Sequence, residues 1–191
     1  MNKELLLDLD GIVIRPRKKY FSETYSQDYD VPLEDIIPFF RDDYKRAAVG
    51  GIDIREVLPT YLAKWGWKGT VDGFLRYWFG NERDVDEKVL DIVRDLRQKG
   101  VKVHLASDNE THRAKYLMDE VGLRKQFDKV FFSCDLGCTK GEPQFFEKVI
   151  NGLQVKPEEI EYWDDDRKNV EVAKSVGIKG KVYTTFEEFK T

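Results

Sequence analysis

The sequence predicts an α/β protein, in which a parallel sheet lies between layers of helices and a further helical unit is inserted near the start. Short apolar runs alternate with stretches of helical periodicity, as in strands joined by crossover helices. From Val101 onward, the apolar runs begin roughly 20 to 30 residues apart, the length of ordinary βαβ units. The first run is followed by about 70 residues more than a crossover helix needs, and compact domains rarely leave such a length without structure.

Predicted strands and helices alternate along the part of the chain that forms the sheet. Glycine, which readily adopts the left-handed conformation at a helix end, follows each helix, and Pro143 suits the first turn of one. The predicted strands are residues 4–9, 101–106, 130–132, 160–163 and 181–183. The predicted helices are residues 86–98 before Gly100, 114–121 before Gly122, 143–150 before Asn151 and Gly152, and 170–176 before Gly177, with a final turn over 186–189.

A helical cap is predicted over residues 15–85, so that residues 1–14 and 86–191 form the core domain. Three cap segments carry apolar side chains at helical spacing, at residues 33–48, 53–65 and 71–79, and Gly50-Gly51 is the predicted joint between the first two. Buried aromatic rings remove a large area from water, so most cap aromatics are expected to form its core rather than stack on a ligand. They are Tyr20, Phe39, Phe40, Trp65, Trp67, Tyr77 and Trp78.

The composition excludes several classes of protein. Hydrophobic residues make up 41% of the 191 residues, which is too many for a disordered chain. The 32 Lys and Arg residues against 36 Asp and Glu leave a net charge of −4, which lacks the basic excess that drives binding to nucleic acid or membrane surfaces, so neither is an expected partner. No apolar run approaches the roughly 18 residues of a membrane helix, and the N-terminus lacks a signal-peptide core, which predicts a cytoplasmic protein.

The cysteines are expected to be ordinary reduced thiols. Cys134 and Cys138 are too few for a disulfide scaffold, and they make a poor zinc set with His104 and His112. The sequence carries no signal for the oligomeric state.

Two carboxylates follow the first predicted strand. Asp8 and Asp10 lie in the segment Leu7-Asp8-Leu9-Asp10-Gly11, and alternate residues of an extended chain project to the same side. Open α/β sheets bind ligands in the crevice at the carboxyl ends of their strands. The pair alone is equally consistent with a ligand site and with an ordinary polar loop after a strand.

Further polar groups follow other predicted strands. Ser107 ends the second strand, where its hydroxyl and the main-chain N–H groups of Asp108 and Asn109 are suited to holding a phosphate oxygen. A helix cap by Ser107 or Asp108 is the alternative, and the two interpretations are compatible. Lys140 lies in a glycine-containing loop before Pro143, although an isolated loop lysine is usually solvated.

Three consecutive aspartates, residues 164–166, end the fourth predicted strand. Such a run is usually a solvated surface. In the predicted sheet, however, Asp164 and Asp165 converge with Asp8 and Asp10 on one edge, where carboxylates cannot all stay ionised without a counter-charge. Carboxylates, waters and a substrate phosphate are the ligands that Mg²⁺ prefers, and the loop lysine supplies further positive charge.

In combination, these motifs resemble the haloacid dehalogenase-like (HAD-like) hydrolase superfamily, the Mg²⁺-dependent aspartyl-phosphate phosphatases, over the whole chain. Gly141 replaces a frequent proline and Ile12 stands where Thr often follows the glycine, but four motifs occur in order at strand ends. They are Leu7-Asp8-Leu9-Asp10-Gly11, Leu105-Ala106-Ser107, Lys140-Gly141-Glu142-Pro143, and Asp164-Asp165-Asp166-Arg167-Lys168-Asn169. The resemblance implies a Rossmann-like three-layer core with an inserted α-helical cap, and a hydrolase acting on phosphate monoesters.

The resemblance also implies catalytic roles for the strand-end residues. Asp8 would attack the phosphorus and form an aspartyl-phosphate, and Asp10 would protonate the leaving alkoxide and then activate water. Ser107, Lys140 and the main chain at Asp108 would hold the transferring phosphoryl group and neutralise its charge.

The implied metal site contains Mg²⁺ bound by Asp8, Asp165 and the main-chain carbonyl of Asp10. Asp164 would assist either directly or from behind the direct ligands, and the two alternatives are both open. Asn169 would make a structural hydrogen bond near the metal loop.

A small phosphorylated metabolite, such as a phosphosugar or a nucleotide, is the expected substrate. Arg15, Arg17, Lys18 and Lys19 would favour an acidic or multiply phosphorylated one if they faced the site, although solvated charges near the cap boundary are the preferred interpretation.

Other activities are less consistent with the motifs. Asp10 argues against a carbon–halogen hydrolase, which needs no acid for the leaving group, and Lys140 precedes the acid pair, which argues against a receiver domain. A phosphosugar mutase and a catalytically silent binding module of the same fold are the remaining alternatives.

Overall fold

A five-stranded parallel sheet forms the centre of the computed structural model, which describes residues 4–16 and 18–189. The strands are β1 (Glu4–Asp8), β2 (Lys102–Ser107), β3 (Lys129–Phe132), β4 (Ile160–Asp164) and β5 (Lys179–Val182). They are ordered β3-β2-β1-β4-β5, so the first strand is central. All five predicted strands are confirmed, with ends within two residues of the predicted positions.

Both faces of the sheet are buried. In the central strand Leu7 lies opposite Leu105 of β2 and Trp163 of β4. Because side chains alternate across a strand, Leu5 and Leu7 belong to one apolar core and Leu6 to the other. The predicted α/β fold with three layers is therefore confirmed.

Helices connect the strands and form the inserted segment after β1. The α-helices are α1 (Phe21–Tyr29), α2 (Leu33–Arg41), α3 (Asp43–Ala48), α4 (Ile54–Lys64), α5 (Val71–Gly80), α6 (Glu87–Gln98), α7 (Thr111–Lys115), α8 (Ser133–Leu136), α9 (Pro143–Leu153), α10 (Arg167–Ser175) and α11 (Phe186–Phe189). Short 3₁₀ turns cover Leu123–Lys125 and Pro157–Glu159.

The predicted helix over residues 33–48 is wrong as a single element, because the chain breaks at Asp42 into α2 and α3. The backbone at Asp42 has φ −112° and ψ −82°, outside the helical range. Aspartate is a poor helix former, since its side chain competes for backbone hydrogen bonds. Helix α1 was not among the predicted elements, and the joint at Gly50-Gly51 lies between α3 and α4.

Two helices of the core differ from their predicted limits. The helix predicted over 114–121 begins at Thr111 and changes to a π-helical turn over Tyr116–Glu120, where the N–H of Val121 donates to the carbonyl of Tyr116 at 3.1 Å. The helix predicted to stop at Asn151-Gly152 continues to Leu153. It ends at Gln154, which adopts the left-handed conformation with φ 60°.

The two ends of the inserted segment lie side by side. Ile14 and Val85 form an antiparallel bridge, the N–H of Asp86 donates to the carbonyl of Val13 at 2.9 Å, and the N–H of Arg15 donates to Asp84 at 2.8 Å. The division into a core of 1–14 and 86–191 and a cap of 15–85 stays a prediction, with these contacts at its proposed boundary.

Aromatic side chains pack together within the inserted segment. Phe39, Trp65 and Trp78 are buried, as predicted, whereas Tyr20 is 69% exposed. The rings of Phe39 and Trp65 meet edge to face at 5.7 Å.

Cys134 and Cys138 both carry free thiols, as predicted. Within residues 4–16 and 18–189, none of the helices combines the length and the apolar character that crossing a membrane requires.

Candidate active site

Three strands end in polar residues at one edge of the sheet. Asp8 is the last residue of β1, Ser107 of β2 and Asp164 of β4, and these strands are neighbours in the sheet. All three side chains are buried. The parallel order therefore brings together residues that are far apart in the sequence.

Lys140 lies between two of these carboxylates. Its Nζ donates to Oδ1 of Asp8 at 2.5 Å and to Oδ2 of Asp164 at 2.8 Å, and only 4% of the residue is exposed. The main-chain N–H of Lys140 donates to Oδ1 of Asp108 at 2.9 Å, which ties the lysine loop to the end of β2. Lys140 is therefore not solvated, although an isolated lysine in a loop usually is.

Burial and charge shift the acid–base equilibria of this group. Burial raises the pKa of Asp8, the charge of Asp164 raises it further, and the ammonium of Lys140 opposes both effects. Burial disfavours the charge of Lys140, but the carboxylates around it outweigh burial and raise its pKa above the usual value. Lys140 therefore remains a cation throughout the physiological pH range.

Asp164 is enclosed by donors. Its side chain accepts hydrogen bonds from the Tyr162 hydroxyl, from Nδ2 of Asn169 at 3.1 Å and from the N–H of Asp166 at 2.7 Å, in addition to Lys140. The contact with Asn169 is of the structural kind that the sequence suggested. Asp165, by contrast, is exposed.

Asp8, Asp164 and Asp165 are suited to binding a divalent cation. One carboxylate oxygen from each lies within 4.8 Å of the others. Gly11, with φ +98°, passes beneath Asp165 so closely that a Cβ there would lie 2.6 Å from Cγ of Asp165. Oxygen donors at this spacing fit Mg²⁺. The carboxylate of Asp10 is not part of this group.

Asp10 is instead held by an arginine. Nη1 of Arg113 donates to Oδ2 of Asp10 at 2.8 Å and Nη2 donates to Oδ1 at 2.6 Å, a bidentate pair. Burial disfavours the charge of Arg113, but Asp10 and Glu82 outweigh it and raise the arginine pKa. The Asp10 side chain is 26% exposed, so one part of it remains accessible.

The segment after Ser107 differs from the expected helix cap. Glu110 caps α7 by accepting the N–H groups of His112 at 2.8 Å and Arg113 at 2.5 Å, so neither Ser107 nor Asp108 is the cap. Nδ2 of Asn109 donates to Oγ of Ser107 at 2.8 Å.

The N–H of Asn109 is not directed toward a phosphate. It donates to Oγ of Ser133 at 3.0 Å, and that hydroxyl donates to the carbonyl of Ala48 in α3. The main-chain group that the sequence suggested for phosphate binding at Asn109 is therefore already used.

A cavity of about 360 Å³ opens beside the carboxylates. Asp10 and Asp165 line it together with Lys18, Lys19 and Tyr20 from the start of the inserted segment. Arg15 lies nearer the boundary, with Nη1 3.4 Å from Oδ1 of Asp84, and Arg17 lies outside the described residues. Whether Lys18 and Lys19 act on the substrate stays a prediction.

Sequence patterns did not identify Arg113, Tyr162 or the side chain of Asn109 as parts of the site. Tyr162 reads as an ordinary apolar strand residue. Arg113 lies one helical turn before Leu117, on the predicted apolar face of the helix. An arginine on an apolar face needs a buried acidic partner, and this position is the signal in the sequence that could have identified Arg113.

Known proteins resemble this chain in sequence and in fold. A protein-family model described as haloacid dehalogenase-like hydrolase matches residues 5–177. A phosphorylated carbohydrates phosphatase from Thermotoga maritima is 23% identical over 188 residues, covering 92% of this chain and 82% of that protein. A D-ribitol-5-phosphate phosphatase from Bacteroides thetaiotaomicron is 28% identical over 116 residues, covering 58% of this chain and 56% of that protein.

Solved structures agree on the fold. A HAD family enzyme from Bacteroides thetaiotaomicron, in complex with magnesium and inorganic phosphate, has a TM-score of 0.81 at 23% identity and covers 96% of this chain and 94% of its own. An L-2-haloacid dehalogenase from Xanthobacter autotrophicus has a TM-score of 0.65 at 20% identity, covering 95% of this chain and 76% of its own. The family match over most of the chain confirms the resemblance drawn from the four motifs and the prediction of a hydrolase. The chain belongs to the haloacid dehalogenase-like hydrolase family.

Proposed function

We propose that the protein is a Mg²⁺-dependent phosphatase that hydrolyses a small phosphate monoester, in particular a phosphorylated carbohydrate. The observation that carries the proposal is the buried contact of Lys140 with Asp8 and Asp164 at the carboxyl edge of the sheet. A nucleophilic carboxylate beside a fixed cation is suited to attack on a phosphoryl group, whose negative charge the cation offsets. Relatives named as phosphatases of phosphorylated carbohydrates and of ribitol 5-phosphate support this substrate class.

Asp8, Asp165 and the main-chain carbonyl of Asp10 would hold the magnesium ion, and Asp164 would orient Lys140 behind them. The exposure of Asp165 favours it as a direct ligand, since Asp164 is already surrounded by donors. When bound, the ion offsets negative charge on the phosphoryl oxygens and so favours attack by an anionic nucleophile.

Asp8 is arranged for nucleophilic attack through one oxygen. The N–H of Leu9 at 2.7 Å and Nζ of Lys140 both donate to Oδ1, which leaves Oδ2 without a hydrogen bond from the described residues. Attack by Asp8 forms its bond to phosphorus as the ester P–O bond breaks, and the leaving alkoxide takes a proton from Asp10. Water then attacks the aspartyl-phosphate and gives its proton to Asp10, which regenerates Asp8 and releases inorganic phosphate.

Ser107 and Lys140 would hold the transferring group during both steps. The Ser107 hydroxyl lies at the end of β2 and is held there by its contact with Asn109. Lys140 supplies a positive charge, and because Lys140 is buried, water screens that charge only weakly. The cytoplasmic location predicted from the sequence stays a prediction.

The test is release of inorganic phosphate from a panel of sugar phosphates, with Mg²⁺ and with a chelator in its place. We expect turnover that requires Mg²⁺ and that Asp8→Asn lowers by about 1,000-fold or more, because the nucleophile is lost. Asp91→Asn, which changes an exposed carboxylate on α6, serves as the control and should keep full activity.

Three results would count against the proposed phosphatase. Equal turnover in wild type and Asp8→Asn would exclude Asp8 as nucleophile, and interconversion of sugar phosphates without phosphate release would indicate a mutase. No turnover on any monoester would favour the silent binding module.

A further inference from the structure

Arg113 is a buried cation whose guanidinium group faces Asp10. Only 1% of Arg113 is exposed, although its partner Asp10 lines the site cavity. Its two terminal nitrogens bind the two oxygens of Asp10, at 2.6 and 2.8 Å. A guanidinium fork that matches a carboxylate in this way fixes the plane of the carboxylate as well as its position.

Arg113 is itself held from several sides. Nη1 donates to the Asn109 side-chain oxygen, Nη2 donates to the carbonyl of Glu82 at 3.3 Å, and Nε lies 3.4 Å from Oε2 of Glu82. Glu82 lies near the second end of the inserted segment. The guanidinium is therefore immobilised by the segment before α7 and by the returning end of the inserted segment.

The backbone of Asp10 is fixed separately. The N–H of Gly11 donates to the carbonyl of Ile14 at 2.7 Å, and the N–H of Ile14 donates to that of Leu9 at 2.7 Å, which closes a tight turn around Asp10. This turn determines where the main chain of Asp10 lies but leaves the two torsions of its side chain to be set by other contacts. The contact with Arg113 supplies two well-formed hydrogen bonds for that purpose, while Nδ2 of Asn109 is more distant from Asp10, at 3.5 Å.

We propose that Arg113 is a positioning residue for the hydrolysis proposed above, because it fixes the Asp10 carboxylate in the orientation from which Asp10 reaches the leaving-group oxygen. The inference rests on the proposed function. Arg113 acts only through Asp10, since its burial keeps it from the substrate. A proton transfer depends steeply on the placement of the acid, and displacements near 1 Å cost about 100-fold in rate.

The first test compares two substrates in Arg113→Lys, which keeps the charge and loses the fork. An alkyl phosphate needs a proton on its leaving oxygen, whereas 4-nitrophenyl phosphate releases a stable anion and needs little help. We expect kcat/KM to fall by about 30- to 100-fold for the alkyl substrate and by less than about threefold for the aryl substrate, with KM nearly unchanged. An equal fall for both substrates would overturn the proposal.

The second test is a double-mutant cycle with Asp10→Asn, measured on 4-nitrophenyl phosphate and on the best alkyl substrate. If Arg113 acts through Asp10, Arg113→Lys should change kcat/KM by less than about threefold once Asp10 is replaced. Multiplicative losses would show that Arg113 works independently of Asp10 and would contradict the proposal.

Arg97→Lys is the matched control. Arg97 also donates several hydrogen bonds, from Nε to Asp128 and from Nη1 to the carbonyls of Lys125 and Gln126, each at 3.0 Å, at the other end of β2. It should lower stability without changing the ratio of the two substrates, and thermal unfolding checks that each variant is folded. Inactive wild type would refute the phosphatase, whereas active wild type with no substrate-dependent loss in Arg113→Lys would refute only the positioning role.

Discussion

At the scale of single residues, two cations, Lys140 and Arg113, offset the negative charge of the carboxylates in the site. Lys140 contacts Asp8 and Asp164, and Arg113 contacts Asp10, so each cation has a distinct set of acids. Both cations are buried, where an ion pair is much less screened than in water. Asp10, the carboxylate proposed for proton transfer, therefore has a different cation from Asp8 and Asp164, which are proposed for nucleophilic attack and for orienting Lys140.

Gly11→Ala is expected to weaken Mg²⁺ binding. A Cβ at residue 11 would lie against the Asp165 carboxylate, which must then move away from Asp8 and Asp164. We expect the apparent Kd for Mg²⁺, measured from the increase in Tm as the ion is added, to rise by about tenfold or more.

Gly100→Ala is the matched control for this variant. Gly100 also has a positive φ, +85°, but a Cβ there would meet nothing within 4 Å. Both variants should lose about 1–2 kcal/mol of stability from backbone strain, and only Gly11→Ala should change the response to Mg²⁺. An identical Mg²⁺ response in wild type and Gly11→Ala would contradict the proposed role of Asp165.

Sequence reasoning located the strand-end residues because their positions follow from the parallel order alone. Asp8, Ser107 and Asp164 each end a strand, and the carboxyl ends of parallel strands meet at one edge. Arg113 and Tyr162 depend instead on side-chain direction and on how a helix is placed against the sheet. No single-sequence pattern specifies those quantities.

At the scale of elements, one carboxylate joins β2, α6 and the segment before β3. Asp128 accepts hydrogen bonds from the N–H of Val103 and from Nε of Arg97, both at 3.0 Å, and from Nζ of Lys102 at 3.1 Å. Partial burial opposes its ionisation, but the three donors outweigh burial and lower the pKa of Asp128 below its usual 3.8.

Asp128→Asn is expected to remove a stabilisation that depends on pH. A lowered pKa in the folded state means that the charge stabilises the protein above the unfolded-state pKa, and that this contribution disappears as the pH falls through the folded-state pKa. We expect the variant to lose about 1–2 kcal/mol in urea unfolding at pH 7. The difference from wild type should narrow below pH 3.8. A difference that stays constant down to pH 2.5 would show that the charge of Asp128 contributes nothing.

Strands were predicted more successfully than helix limits. Strand ends coincide with the ends of apolar runs, whereas the break at Asp42 and the π-helical turn over Tyr116–Glu120 depend on tertiary packing. Helix α1 was not predicted because its sequence has few apolar positions, and Phe21 and Tyr25 are its large buried side chains. The helix does not end at Gly152, which lies inside α9. A Cβ at residue 152 would lie close to the ring of Phe131, so this glycine is explained by packing rather than by a helix end.

At the scale of the whole molecule, polar contacts near the site join the inserted segment to the elements around the sheet. Ser133, the first residue of α8, donates to the carbonyl of Ala48 in α3 and accepts a hydrogen bond from the N–H of Asn109. His112 of α7 lies 2.7 Å from Oδ1 of Asp53, which caps α4. The inserted segment is thus connected to the residues that follow Ser107.

Ser133→Ala is expected to loosen this contact. The substitution leaves the N–H of Asn109 and the carbonyl of Ala48 without their buried partner, which should cost about 1–3 kcal/mol in urea unfolding. Amide exchange in α3 should accelerate by more than the global change requires. Ser175→Ala, at an exposed hydroxyl of α10, is the control and should change neither quantity. Unchanged stability in Ser133→Ala would show that other groups or water replace the hydroxyl.

The central place of β1 has a consequence for how the chain is made. Its partners β2 and β4 begin about 100 and 150 residues later, so contacts of this separation carry a high loop-closure entropy and form slowly. During synthesis the first strand leaves the ribosome long before either neighbour exists, whereas the helices of residues 21–80 emerge as a group with mostly local contacts. The apolar segment Leu5–Leu7 therefore has no strand to pair with until residue 107 has been translated, and it is paired on both sides only after residue 164.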